Sequence, residues 1–151
     1  MKYTSLVILL FSCNLTFSQD YIREYISKCV PLAIEQEERY RIPASITLAQ
    51  AILESGYGRS SLARNQNNHF GIKSGMKYRV YASIEDSFEH HSVVLLSNRY
   101  RSLFELDVSD YRGWAYGLQR CGYAEDSLYA RKLIIIIEKH KLNIVREEIS
   151  P

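Results

Sequence analysis

The segment Glu54-Ser55-Gly56-Tyr57-Gly58 has the residue types and the spacing best suited to acid chemistry in this sequence. The surrounding pattern predicts that Glu54 lies near the C-terminal end of a helix, where the helix dipole favours the protonated carboxyl group. Apolar surroundings would act in the same direction, because they disfavour the charged form. A glutamic acid that keeps its proton near neutral pH can protonate a glycosidic oxygen as that oxygen leaves. The alternative interpretation is an ordinary surface glutamate at a helix end.

The helix that carries Glu54 is one of several that the sequence predicts. Pro43 is expected to open it at the first position and Gly56 to close it. The preceding helix is expected over residues 21–40, with Asp20 as N-cap and with a kink or restart at Pro31. Between residues 69–73 and 77–81, apolar and polar residues alternate around Ser74 and Gly75, which predicts a small β-hairpin.

Cap signals predict three further helices. Ser83 and Asp86 form a capping box that begins the first of them, and its inner face is predicted to contain Ile84, Phe88, His91 and Leu95. The second is expected to begin behind Asp110 and to end at Gly122, and the third to begin behind Asp126. Because the third contains four consecutive isoleucines, we expect it to be buried on more than one side. The predicted fold class is therefore α+β, mostly α.

Length and composition limit the classes of function. A chain of 151 residues has room for one domain, and a net charge of +2 is too weak to indicate a nucleic-acid partner. We expect a monomer. No metal site and no cofactor are predicted, because the histidines and cysteines do not have the spacing of a ligand set.

The first 18 residues are predicted to be a secretory signal peptide. Lys2 precedes a short apolar stretch over residues 5–11, and a small-x-small pattern ends at Ser18, directly before Gln19. The alternative is lipoprotein processing at Cys13. The apolar stretch is too short to span a bilayer, and no later segment is long enough, so we expect export to the periplasm or the extracellular space. In the exported chain, residues 19–151, Cys29 and Cys121 either pair, for a gain of about 2–4 kcal/mol, or remain separate thiols.

Several ordered motifs resemble the glucosaminidase domain of glycoside hydrolase family 73. They are Ile42-Pro43-Ala44-Ser45-Ile46-Thr47-Leu48-Ala49-Gln50-Ala51-Ile52-Leu53-Glu54-Ser55-Gly56-Tyr57-Gly58, Asn67-Asn68-His69-Phe70-Gly71-Ile72-Lys73, Tyr78-Arg79-Val80-Tyr81 with Ser83 and Ser87, Trp114-Ala115, Gly117-Leu118, Gly122-Tyr123-Ala124 and Tyr129-Ala130. The resemblance covers about residues 30 to 142. It implies a lysozyme-like fold, in which a helical lobe and a small β-hairpin lobe flank a glycan groove, and cleavage after N-acetylglucosamine in the glycan strands of peptidoglycan.

The resemblance also implies roles for single residues. Glu54 matches the general acid of the family, and Tyr123 matches an aromatic residue that is associated with activity. Glu85 is the candidate for a second carboxylate, with Asp86 and Glu89 as rivals. The remaining candidates are expected to bind substrate: Tyr57, Asn68, Phe70, Tyr116 and Tyr129. Asn68 has an alternative role, which is to hold the turn into the hairpin.

Three mechanisms and three classes of function remain open from the sequence. A base about 6.5–9.5 Å from the acid fits inversion, and a carboxylate at about 5 Å fits a covalent intermediate. In a third route the acetamide of the substrate attacks and no second carboxylate is needed. The competing functions are a non-catalytic glycan-binding or regulatory module on the same fold, and an inhibitor or adaptor.

Overall fold

The structure is a computed structural model that describes the backbone of residues 4–146 and the side chains of residues 19–146. Within this part, a helical body carries a short, exposed two-stranded sheet, which agrees with the predicted fold class. The elements in chain order are α1 (Thr4–Tyr40), α2 (Ala44–Ser55), α3 (Ser61–Gln66), β1 (Lys73–Ser74), β2 (Lys77–Tyr78), α4 (Ile84–Leu95), a 3-10 helix (Asn98–Glu105), α5 (Tyr111–Arg120), α6 (Tyr129–Lys139) and a second 3-10 helix (Leu142–Ile144).

Helix α2 lies at the centre of the helical body. It packs against α1, α5 and α6, and every one of its residues except Leu53 and Glu54 is buried. The carbonyl of Pro43 accepts the first helical hydrogen bonds, so the proline lies one position earlier than predicted. At the other end, Gly56 adopts the predicted left-handed cap at a φ of 57°. The burial of α2 therefore fixes where its last turn, and Glu54 with it, meets the surface.

Helix α1 differs from the prediction at its start and at Pro31. It begins at Thr4 and continues through both Asp20 and Pro31, so the predicted N-cap and the predicted restart are wrong. Pro31 removes one backbone N–H, but Val30 and Ala33 on either side are buried in the core, and this packing keeps the helix continuous. The predicted leader, with the alternative at Cys13, lies outside the residues whose side chains the structure describes.

The hairpin is present but much shorter than predicted. Its strands pair only Lys73 with Tyr78 and Ser74 with Lys77, instead of extending over residues 69–73 and 77–81. The side chain of Asn68, which is 1% exposed, takes the place of further strand pairing. Its Nδ2 donates to the carbonyls of Ile72 at 2.8 Å and Arg79 at 2.9 Å, and its Oδ1 accepts from the Ile72 N–H at 3.0 Å.

The predicted caps of α4 and α5 are confirmed. Ser83 Oγ accepts from the N–H of Asp86, and Asp110 Oδ1 accepts from the N–H of Gly113. The predicted inner face of α4 is buried along its whole length. The expectation that α6 is buried on more than one side is wrong for Ile135, which is 51% exposed, because α6 presents a single face that contains Leu133 and Ile137 to α2 and α5.

Helix α3 and the 3-10 helices were not predicted. Helix α3 has only six residues and begins behind Ser60, whose Oγ accepts from the N–H of Ala63. Cys29 is buried, Cys121 is half-buried, and both are free thiols, so of the two alternatives for this pair the structure has separate thiols. Within the described residues, no helix has the length and apolar character needed to cross a membrane.

Replacement of Asn68 by alanine is expected to destabilise the protein by about 2–4 kcal/mol, because the buried Asn68 side chain makes three hydrogen bonds to the backbone of Ile72 and Arg79 that alanine cannot make. Thermal or chemical unfolding measures this change. The matched control is Asn65→Ala, since the Asn65 amide is exposed and donates only to Ser61 Oγ. Equal stability of the two variants would contradict the role of Asn68 in the hairpin.

Candidate active site

Glu54 is the second-last residue of α2 and its side chain is exposed, unlike those of its neighbours. Desolvation by the surrounding protein raises the pKa of its carboxyl group, while a hydrogen bond with the Tyr129 hydroxyl lowers it in part. The net shift is upward. The side chain therefore combines access from solvent with a bias towards the protonated form, as a general acid requires.

A buried chain of hydrogen bonds extends from Glu54 into the core. Gln50 lies one helical turn before Glu54, and its Nε2 donates to the Tyr129 hydroxyl at 3.0 Å. The Oε1 of Gln50 lies 3.0 Å from Nε2 of His91. Since an amide oxygen can only accept, Nε2 of His91 carries the proton. The Tyr129 hydroxyl already accepts from Gln50, so its own proton is available to the Glu54 carboxylate.

His91 anchors this chain as a neutral imidazole. It is fully buried, and burial lowers its pKa to about 3. The ring of Phe70 stacks on it with a centroid distance of 4.0 Å. Within the described part of the chain, its Nδ1 has no hydrogen-bond partner. The tautomer with the proton on Nε2 leaves only this acceptor unpaired, and so avoids a buried N–H without a partner.

Tyr123 lies beside the same group. Its ring stacks on that of Tyr129 with centroids 5.5 Å apart. Burial raises the pKa of Tyr123, and the negative charge of Glu54 raises it further, so its hydroxyl stays protonated. Among the described residues no group bonds to this hydroxyl, which leaves it available to a ligand. The structure therefore brings three of the predicted site residues together: Glu54, Tyr123 and Tyr129.

The other predicted site residues lie elsewhere or have other partners. Phe70 is 4% exposed and packs between His91 and Phe88. The Asn68 amide holds the hairpin, which is the alternative that the sequence left open. The hydroxyl of Tyr57 lies 2.8 Å from Nε2 of His140, at the end of α6. Tyr116 on α5 is 49% exposed.

Glu85 lies in the first turn of α4 and is exposed. It lines two cavities whose other walls include residues of α1, one of them with Tyr25 and the other with Arg39. Neither of these cavities includes Glu54. Glu89, its rival from the sequence, pairs with Arg39 at 2.6 Å. Among the residues that the structure describes, no group of three His, Cys, Asp or Glu side chains is close enough to hold a metal ion.

The roles of Gln50 and His91 were not predicted. His91 was assigned only to the inner face of its helix, and Gln50 stands only within a motif of the family resemblance. A buried glutamine one turn before a candidate acid, and a histidine on an otherwise apolar face, are signals that each needs a polar partner. Sequence alone does not show that these two side chains bond to each other, or that Tyr129 connects them to Glu54.

Comparison with known proteins gives a consistent result. The model of the glucosaminidase family, described as mannosyl-glycoprotein endo-beta-N-acetylglucosaminidase, matches residues 30–142. The exo-glucosaminidase LytG of Bacillus subtilis is 32% identical over 140 residues, which cover 76% of this chain and 49% of LytG. The peptidoglycan hydrolase FlgJ of Pseudomonas aeruginosa is 31% identical over 139 residues, 73% of this chain and 34% of FlgJ. The chain thus spans half or less of these two relatives.

Solved structures show the same fold. The catalytic domain of the autolysin Auto from Listeria monocytogenes superposes with a TM-score of 0.73 at 25% identity, covering 82% of this chain and 86% of that domain. The glycoside hydrolase domain of FlgJ from Salmonella typhimurium gives a TM-score of 0.68 at 28% identity, covering 85% and 92%. With the family model matched over most of its length, this chain belongs to the glucosaminidase family that its motifs resemble.

Proposed function

We propose that this protein is a glycoside hydrolase that cleaves the bond after N-acetylglucosamine in the glycan strands of peptidoglycan. The observation that supports this most directly is Glu54, an exposed carboxyl group with a raised pKa and a hydrogen bond from Tyr129, in a chain of the glucosaminidase family. The names of the relatives LytG and FlgJ support the bond and the substrate. Action on the cell wall agrees with the proposed export of residues 19–151.

In the proposed reaction, protonated Glu54 donates its proton to the glycosidic oxygen while the bond from that oxygen to C1 breaks. Glu54 becomes a carboxylate, and the neighbouring Tyr129 hydroxyl stabilises the new negative charge by donating a hydrogen bond to it. Water supplies the hydroxyl group at C1 and releases one proton. A second proton transfer then restores protonated Glu54 for the next cycle.

The attack on C1 needs a second group. Glu85 is the proposed base from the sequence, and its exposed carboxylate forms no ion pair with any described residue. In the competing route the substrate acetamide attacks, and a neighbouring hydroxyl such as that of Tyr123 orients it. The two routes make different demands on Glu85, so a single variant separates them.

The Glu54→Gln variant is expected to lose about 100-fold or more of the cleavage rate on purified peptidoglycan, because the amide keeps the shape but is too weak an acid to protonate the glycosidic oxygen. Mass spectrometry of the soluble fragments measures this loss. N-acetylglucosamine at the reducing ends identifies the proposed bond, and fragment length separates the exo mode in the name of LytG from the endo mode in the family description.

The matched control is Glu105→Gln, which removes an exposed carboxylate far from α2 in sequence and leaves Glu54 intact. Binding of Glu54→Gln to insoluble peptidoglycan should stay close to that of the wild type. Normal cleavage by this variant would exclude Glu54 as the acid. Binding without cleavage by the wild-type protein would support a glycan-binding module instead.

The Tyr129→Phe variant is expected to raise the pKa of Glu54, because the hydroxyl that favours the carboxylate is lost. A general acid works only while protonated, so the basic limb of the pH profile of kcat/KM should move to higher pH. The control is Tyr111→Phe, whose hydroxyl bonds to Glu138 at the surface. A basic limb that stays in place, or moves to lower pH, would show that Tyr129 does not set the proton affinity of Glu54.

The Glu85→Gln variant is expected to lower the cleavage rate about 100-fold if its carboxylate is the base. The measurement is the same fragment assay, with Glu105→Gln as the control. Asp86→Asn and Glu89→Gln test the two rival carboxylates in the same way. A wild-type rate in Glu85→Gln would exclude it as the base, and wild-type rates in all three variants would favour attack by the acetamide.

A further inference from the structure

The cavity that Tyr25 and Glu85 line is polar. It lies on the side of the molecule formed by α1, α3 and the start of α4. It has a volume of about 550 Å³ and includes neither Glu54 nor its partners Tyr129 and Gln50. This volume lies within the range of about 300–1,000 Å³ that is typical of small-ligand sites. Its lining includes the charged side chains of Glu24, Lys28, Arg64 and Glu85, and it also includes Tyr25 and His69.

The hydrogen bonds behind this cavity determine the tautomer of His69. Ser55 Oγ donates its single proton to the Ala51 carbonyl at 2.6 Å, so towards Tyr25, at 3.1 Å, it can only accept. The Tyr25 hydroxyl must therefore donate to Ser55. That hydroxyl also interacts with the Cys29 side chain. Because its own proton goes to Ser55, its contact at 2.8 Å with Nδ1 of His69 requires Nδ1 to carry the proton.

Nε2 of His69 is consequently an unprotonated acceptor. Among the described residues this nitrogen has no hydrogen-bond partner, and it is not one of the fully buried atoms without a partner. Because His69 lines the cavity, we take its Nε2 to be open to the cavity. Burial lowers the pKa of His69 to about 4, with a smaller contribution from the charge of Lys28. At neutral pH this nitrogen therefore presents a lone pair, and it suits a ligand that offers an N–H or O–H donor.

Charged groups of both signs surround this acceptor. Lys28 and Arg64 are exposed, and within the described residues neither forms an ion pair or a hydrogen bond. Glu24 is exposed and likewise has no ion-pair partner there. A ligand with negative charge alone would meet Glu24 and Glu85, and a purely cationic ligand would meet Lys28 and Arg64. A zwitterion satisfies both sets.

We propose that this cavity binds a zwitterionic amino-acid group carried by a peptide, such as the side chain of diaminopimelate in a stem peptide of peptidoglycan. The ammonium group donates to Nε2 of His69 and faces Glu24, and the carboxylate contacts Lys28 and Arg64. The choice of a stem peptide rests on the proposed function, because the substrate strands carry such peptides. The cavity then adds affinity for peptide-bearing strands; it does not include Glu54, but it does include the proposed base Glu85.

The test is calorimetric titration of the full chain with a glycan-free stem tripeptide that ends in diaminopimelate, whose side chain has a free ammonium and a free carboxylate. The variant with both Lys28→Gln and Arg64→Gln is expected to bind about tenfold more weakly or worse, because two charge-assisted contacts are lost. The matched control, with both Lys77→Gln and Arg79→Gln, removes the same charge from the exposed hairpin and should bind as the wild type does.

Two further measurements decide the outcome. Acetylation of the diaminopimelate amine should reduce binding, and the nitrogen-15 resonance of His69 Nε2 should shift on addition of the unmodified peptide. The proposal is overturned if the wild-type chain does not bind the peptide at millimolar concentration, if both double variants bind equally, or if acetylation has no effect. Since the peptide contains no glycosidic bond, these results are independent of cleavage, and failure of the Glu54→Gln test would leave them interpretable.

Discussion

Burial of α2 on nearly every side is the constraint on which the site depends. A helix enclosed in this way must satisfy its polar side chains inside the protein, because water cannot reach them. Gln50 meets this requirement by joining Tyr129 to His91. The same arrangement aims the Tyr129 hydroxyl at Glu54, so a demand of the core also determines the electrostatics of the candidate acid.

Two consecutive residues at the end of α2 belong to different polar networks. Glu54 is linked to the Gln50–His91 pair, whereas Ser55 is buried and bonds to Tyr25, which in turn bonds to His69. Burial lowers the pKa of both histidines and keeps them neutral. Each histidine therefore acts as a fixed donor or acceptor and not as a charge. His69 bonds directly to the Tyr25 hydroxyl, whereas His91 is linked to the Tyr129 hydroxyl through Gln50.

Local signals in the sequence were sufficient for much of the fold. Ser83, Asp110 and Gly56 predicted helix ends correctly, because a cap depends on groups within three or four residues. The extent of the hairpin was not predictable in this way, since Asn68 replaces strand pairing with side-chain hydrogen bonds. Asp20 failed as a cap because the chain before it is also helical.

Part of the candidate site was also predictable. Glu54 follows from local signals at a helix end, whereas Tyr123 follows from the family resemblance. The link through Tyr129 joins positions separated by 79 residues in the chain, and only the packing of α6 on α2 brings them together. The contacts of the aromatic candidates were not predictable from the sequence either. Tyr57 bonds to His140 at the end of α6, and Phe70 packs against Phe88 of α4.

The turn after Glu54 consists of three successive residues in the left-handed region, at φ values of 57° for Gly56, 58° for Tyr57 and 73° for Gly58. A side chain added at Gly58 would also approach the Tyr25 ring within 2.6 Å. Few amino acids adopt this backbone without strain, and β-branched ones least of all. Substitutions in this turn should therefore be tolerated much less well than substitutions at the hairpin tip, where Met76 is 98% exposed.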